Sequence, residues 1–310
     1  MRHLFGKLIE DRQELDWFSV LGGVLVCVGL GGFGVRTGAQ QVEGLFGGAV
    51  AFDQSVQSAP VRAQLRARPV AVDFRKLPVS ASADKPARLV LNVFDDANFV
   101  AAIEKIETQG LNSVSYLGHV DGFADSPDGN DANQVSLVVF DGVMAGSIVT
   151  PTGSFQVGFD GKNQVIRQVD PSAFPEDEVV EKAETDVEQQ GPIAMNDDGS
   201  LVDLMVLYTA AARVQAGSTA AIQALITLGV TETNQAYANS GVAFRLRLRR
   251  MGETAYVEQG AGTDLTNLSD GAGLLSVVPG LRDQYGADQV KLVTTNAGCG
   301  IAWLGGPAAN

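Results

Sequence analysis

The chain has very little histidine, cysteine or positive charge, and each shortage removes a class of function. Histidine occurs twice, at His3 and His119. Zinc hydrolases usually take two or three imidazoles and a nucleophilic triad needs one as base, so two histidines, one of them ahead of the long apolar segment, narrow the catalytic options. Cysteine also occurs twice, Cys27 inside an apolar run and Cys299 near the end, and no disulfide framework can be drawn from the pair. The 22 Lys and Arg stand against 36 Asp and Glu, a formal charge of −14. Phosphate contacts need a concentrated basic surface, which excludes a general nucleic-acid binder. Apolar residues are not short: at 45% of 310 residues they suffice for two ordinary domains, each with a core.

One long uncharged stretch is present, Trp17 to Val35 (WFSVLGGVLVCVGLGGFGV). Its length suits a bilayer span or an export signal. Residues 1–39 are therefore expected to be an export signal or membrane anchor that meets the membrane. The remainder is then secreted or extracytoplasmic, the alternative being a protein anchored through residues 17–35. Thr37-Gly38-Ala39 offers the small residues of a cleavage site before Gln40, whereas Glu10, Asp11, Glu14 and Asp16 cancel the positive charge an ordinary signal carries. Gly29, Gly31 and Gly34 spell G-x-G-x-x-G, with Asp53 following at about the distance a dinucleotide fingerprint requires. The helix that fingerprint needs is broken by Gly38, Gly44, Gly47 and Gly48, so a nucleotide-binding oxidoreductase stands only as a second alternative.

Residues 40–175 read as a β-rich domain. ARLVLNVF, NSVSYLGHV, QVSLVVF, GSIVT, GSFQVGF and NQVIRQV are strand-like runs separated by Asp-Gly and Pro-Thr-Gly turns. One helix is expected from Asp96 to Thr108, with Phe99, Ala102, Ile103 and Ile106 on one face. His119 reads as a structural or solvent-facing histidine, because no second histidine or thiol accompanies it in this domain. The acidic loop Asp121 to Asp131 does not fit the EF-hand pattern and reads as a polar hairpin loop. Residues 176–199, acidic and poor in aromatics, have the composition of a linker.

From 200 to 310 strands alternate with helices. Leu201 to Thr209 is a nearly continuous apolar run, as a central strand covered on both faces would be. Ser218 or Thr219 caps a helix to about Asn239 that carries Ile222, Leu225, Ile226, Thr233 and Tyr237 at helical spacing, with Gly241 past its end. In AFRLRLRR, Leu246 and Leu248 alternate with Arg245, Arg247 and Arg249. That arginine row reads as a solvated outer face, the alternative being a docking surface for the acidic front domain or linker. A helix from Leu274 to Tyr285 and a strand from Gln289 to Thr294 complete a β-α-β-α-β order, which in one sheet implies largely parallel strands.

The runs VDLMVLYTAAARVQAGSTAAIQALITLGVTETNQAYANSGVAFRLRL and LRDQYGADQVKLVTTNAGCGIAWL, between Leu201 and Leu304, resemble the opening of the catalytic domain in secreted bacterial zinc metallopeptidases. The group is the reprolysin-like metzincins, close to the peptidyl-Asp metalloendopeptidases. LVLNVFDDANF, SLVVFDGVMAGSIV and QVIRQVDPSAFP resemble the propeptide of such enzymes. The resemblance implies an α+β chain, a mostly β propeptide-like domain followed by an incomplete α/β metzincin-like upper subdomain. It also implies zinc, held in the family by H-E-x-x-H-x-x-G-x-x-H/D. That motif occurs nowhere in the 310 residues, so no catalytic, cofactor-binding or metal residue is assigned. Cys299 matches a cysteine whose disulfide partner, in such enzymes, lies further on. The expected function is that of a truncated precursor of a secreted zinc metalloendopeptidase, inactive as it stands. The alternative is a propeptide-like binding or inhibitory protein whose partner is a related protease. An intramolecular contact between propeptide and catalytic portion is implied, and the back half is expected either to aggregate through an exposed apolar face or to be sheltered by the front domain.

Overall fold

Alternating side chains and tight turns roll the front half into a sheet with a filled interior. The structure, a computed structural model, describes residues 44–48, 63–109, 112–123, 133–174, 178–180, 200–296 and 300–303. The chain divides into two units, Met1–Gln41 and Val42–Asn310, and the first lies outside the described residues. So do Gly29, Gly31, Gly34 and Asp53 of the glycine motif, the cleavage site at 37–40, Cys27, Cys299, residues 124–131 of the acidic loop, and most of 176–199. Among the described residues no helix is long and apolar enough to cross a membrane.

The strands are β1 (Phe46–Gly47), β2 (Gln64–Val72), β3 (Ala87–Phe94), β4 (Ala97–Gln109), β5 (Ser113–Val120), β6 (Gln134–Phe140), β7 (Val143–Thr150), β8 (Gly153–Phe159) and β9 (Gln164–Val169). All neighbours are antiparallel, in the order β1-β2-β9-β8-β7-β6-β5-β4-β3. Asp141 and Gly142, both at positive φ, make the two-residue turn whose twist matches the β6–β7 hairpin. Leu91, Ile103, Leu137, Met144, Ile148 and Ile166 fill the interior. The sheet nearly closes on itself, because β1 bridges its two ends. Phe46 and Gly47 pair with β2, while Leu45 N–H donates to the Val90 carbonyl and the Asn92 side chain bonds both the N–H and the carbonyl of Phe46. Arg66 and Arg68 of β2 reach across the same seam to Asp96 and to the carbonyls of Val93 and Asn92.

The helix expected over Asp96 to Thr108 is instead β4. Ile103 pairs with Gly118 and Lys105 with Leu117, leaving Glu104 as an extra residue. This bulge changes the parity of the strand, so Ala97, Phe99, Ala101 and Ile103 before it and Ile106 after it all join the core. The three-residue step from Ile103 to Ile106 is what imitated helical spacing. Strand β2 was not foreseen either, since QLRARPVAV carries Pro69 and two arginines in a run that looks like lead-in.

The back half begins after β10 (Glu178–Val180), a short strand inside the stretch read as linker. Then come β11 (Leu201–Thr209), α1 (Ala210–Ala216), α2 (Thr219–Asn239), β12 (Arg245–Thr254), α3 (Ala261–Asp270), α4 (Val278–Tyr285), β13 (Gln289–Val293) and β14 (Ile301–Trp303). β11 lies between β12 and β13 and is parallel to both. One face packs Leu204, Val206 and Tyr208 against Ile222, Ile226 and Val230 of α2. The other packs Met205 and Leu207 against Leu275 and Val278. The helix expected from Leu274 to Tyr285 starts late: Gly273–Leu275 is a 3-10 turn, and Pro279 occupies the first turn of α4, where a missing N–H costs nothing. Helix α3 lay outside the expectation.

Ser218 caps α2 by accepting from the Ala221 N–H, and Gly241 follows at positive φ. Leu225, expected on its buried stripe, is 44% exposed. The helix is clasped from two sides instead. Ala224 and Leu228 meet Val138 and Ala145 on the outer face of the front sheet, and Thr231 shares a hydrogen bond with Ser115. In the arginine row, a bulge opposite Leu204 and Met205 leaves Arg249 unmatched and turns Arg250 to stack on Tyr285, 4.8 Å from its centroid. Arg247 makes two hydrogen bonds with Asp203 of β11, and Arg245 turns back onto the carbonyls of Val242 and Phe244. The row is thus partly neutralised within the back half itself.

Candidate functional site

Parallel strands present their carboxyl ends on one edge of a sheet. After β11 the chain crosses to β12 on one side and returns to β13 on the other, so the crevice between the ends of β11 and β13 is where open α/β sheets take their ligands. Here that crevice is filled from within. Glu258, beyond the end of β12, accepts from the hydroxyl of Thr209, the last residue of β11, and from the N–H and hydroxyl of Thr295, just past β13. With three donors on one carboxylate, Glu258 fastens the loops at the ends of β11 and β13 to the segment after β12.

Beside it lies a buried polar group. Asp264 is 3% exposed, and its Oδ1 accepts from the hydroxyl of Tyr256 at 2.7 Å and the N–H of Gln259 at 2.8 Å. Asn267 donates to the same tyrosine oxygen, whose hydroxyl is pushed above its ordinary value chiefly by burial. Oδ2 of Asp264 has no partner among the described residues. No signal in the sequence brought these residues together: Thr209 and Glu258 are 49 positions apart and Glu258 and Thr295 are 37 apart, with no motif linking them.

His119 lies near the end of β5, beside the bulge. Its Nδ1 is 3.2 Å from Glu104 and its Nε2 3.9 Å from Asp121, which is itself paired with Arg88. Among the described residues no group of three or more His, Cys, Asp and Glu could hold a metal ion. The zinc implied by the resemblance thus finds no such group among the described residues, and no chemistry is derived through it.

The remaining feature of this half is an edge. Glu178, Val179 and Val180 of β10 pair in parallel register with Ile301, Ala302 and Trp303 of β14. A segment from ahead of β11 thus occupies the backbone hydrogen-bonding edge of a strand that follows β13, and strand addition to an open edge is a common way to hold an extended peptide.

No protein-family profile matches the chain. Over 262 residues it is 27% identical to a peptidyl-Asp metalloendopeptidase of Stenotrophomonas maltophilia strain R551-3, a match covering 79% of this chain and 62% of that one. The homologous enzyme of strain K279a is 26% identical over 266 residues, 80% of this chain and 63% of its own. Among solved structures, metalloproteinase-II from Bacteroides fragilis matches loosely, at a TM-score of 0.35 and 10% identity over 62% of this chain and 60% of that one. The chain spans about three fifths of the length of the curated relatives it matches, and it is a distant relative of the peptidyl-Asp metalloendopeptidases.

Proposed function

We propose that these 310 residues comprise the propeptide-like domain and the opening part of the catalytic domain of an exported metzincin zinc endopeptidase, and that they do not hydrolyse peptides by themselves. The observation that carries the reading is the reach of the match to the relatives. It extends over 79% of the chain, farther than either the barrel or the parallel sheet alone, which supports reading the two halves as parts of one precursor. Two features of the fold support it. The barrel grips α2 of the back half, and β10 lies along β14 as an inhibitory segment would lie along an edge. Inactivity rests on the histidines: with only His3 and His119, no H-E-x-x-H can be written anywhere in the sequence.

Reading the gene and its transcript through and beyond the codon for Asn310, in all three frames, tests this. The expected result is H-E-x-x-H-x-x-G-x-x-[HD] in continuous or shifted frame. A stop codon with no such motif nearby would sink the peptidase reading. It would leave a propeptide-like binder of a related protease, for which the α2-gripping face of the barrel is the surface to test. The purified chain is expected to hold no stoichiometric zinc by elemental analysis and to leave casein uncut.

A further inference from the structure

The parallel sheet ends at β12, and that end is open. Among the described residues β12 pairs only with β11, and none of its 10 residues is buried, whereas β11 is buried from Leu204 to Thr209. Two contacts fix which way its backbone groups point. Arg245 N–H donates to the Ser200 carbonyl, just ahead of β11, while Leu246 turns outward: its N–H donates to the side-chain oxygen of Asn234 on α2 at 2.7 Å and its carbonyl accepts from the side-chain nitrogen at 2.8 Å. That amide stands where one peptide unit of a neighbouring strand would stand. Beyond it the edge borders a groove of ≈ 840 Å³, walled on one side by Leu246 to Met251 and on the other by Glu107, Asn112 and Phe140 of the front half. We propose that this groove takes an extended peptide in which acidic and apolar residues alternate, added as a further strand on the outer edge of β12. The inference goes beyond the peptidase reading and does not rest on it.

The alternation follows from the pleat. Leu246 and Leu248 pack on the α2 face of the sheet, with Val206 and Val230, and Arg247 between them lies on the other face with Asp203. Residues of an added strand share a face with those they lie opposite. Every second one would therefore meet the leucines, Val230 and Phe140, and the ones between would meet the arginines. Four guanidiniums, those of Arg245, Arg247, Arg249 and Arg250, stand within six residues. Arg247 and Arg249 share the carboxylate of Asp203, while Arg245 and Arg250 bond neutral oxygens. The nearby acids are engaged elsewhere, Glu253 with Arg213 and Glu107 with Lys105. The strip thus keeps a surplus of positive charge on a chain of formal charge −14, and that surplus selects acidic side chains. An arginine row facing open water would only repel other strands. Here the front half supplies a second wall, which makes the edge a cleft.

The probe is a fluorescent, end-blocked peptide of about eight residues in which Val and Glu alternate, long enough to run beside β12. It is titrated with the full chain near neutral pH and followed by anisotropy. The expected result is saturable binding that weakens as salt rises from about 0.05 to about 0.5 M. A peptide with its valines and glutamates segregated into two blocks should bind about tenfold more weakly, the loss of about two exposed ion pairs. N-methylation of every valine, or of every glutamate, removes one alternate set of N–H groups. One of the two forms should lose binding by about tenfold or more, the valine form if the added strand is antiparallel to β12 and the glutamate form if it is parallel. Arg249→Gln, at an exposed position, should weaken binding about two- to fivefold. Equal binding of the alternating and segregated peptides, or tolerance of both N-methylated forms, would overturn strand addition. Binding seen only after Glu181, Glu184, Asp186 and Glu188 are replaced by their amides would make the chain's own acidic stretch the occupant, and a peptide that competes with a dimer in analytical ultracentrifugation would make it a second copy. Either result overturns a partner peptide, as does no binding to any form of the chain.

Discussion

Two side-chain contacts in the back half give direct measurements of what single groups contribute. Removing the Glu258 carboxylate leaves three donors without an acceptor, one of them on Thr209, which is 1% exposed. Glu258→Ala is expected to cost about 1–2 kcal/mol by urea denaturation, most of it from the stranded Thr209 hydroxyl, and Glu258→Gln less because one acceptor oxygen survives. The second contact is Arg247 with Asp203, where the arginine's hydrogen bonds hold the carboxyl below its ordinary value of 3.8. A lowered carboxyl contributes stability above the unfolded value that is lost as pH falls through the folded one. Arg247→Ala should therefore cost about 0.5 kcal/mol near neutrality, the usual scale for an exposed pair, and the difference from wild type should vanish in acid. Neither contact was legible in the sequence. Arg247 was visible only as one of a row, and nothing pointed to Asp203, because a partner on the neighbouring parallel strand is set by long-range register, which local sequence does not carry.

Among the elements, those whose limits are written in short-range chemistry were legible, and those bent by long-range packing were not. Strand β11 runs over the residues expected, because an unbroken apolar run suits a strand covered on both faces. Helix α2 starts at its serine cap and stops before Gly241 as anticipated. Strand β4 failed the same reading, since a bulge at Glu104 gave a strand the spacing of a helix. That bulge sits against Gly118, where a Cβ would lie 1.9 Å from the Ala102 carbonyl oxygen. Backbone cannot give way there, so Gly118→Ala is expected to destabilise the barrel by about 3 kcal/mol or prevent its folding, as circular-dichroism melting would show. The same melt on Ser218→Ala, which removes only a helix cap, should show a loss of about 1 kcal/mol.

The two halves of Val42–Asn310 form one compact unit, and α2 is the piece they share. If the barrel stabilises the back half through that helix, weakening its outer face should uncouple them. Leu228→Ala deletes the largest apolar group α2 presents to the barrel and should cost about 2–3 kcal/mol. The expected signature in calorimetry is two unfolding transitions where the wild type has one, with the barrel's own transition little changed. A helix clasped on both sides also leaves natural variation little room. Among close relatives, α2 should lack the freely drifting stripe of an ordinary surface helix. Its changes should concentrate at positions such as Leu225, and the residues touching either sheet should change only in step with the wall they face.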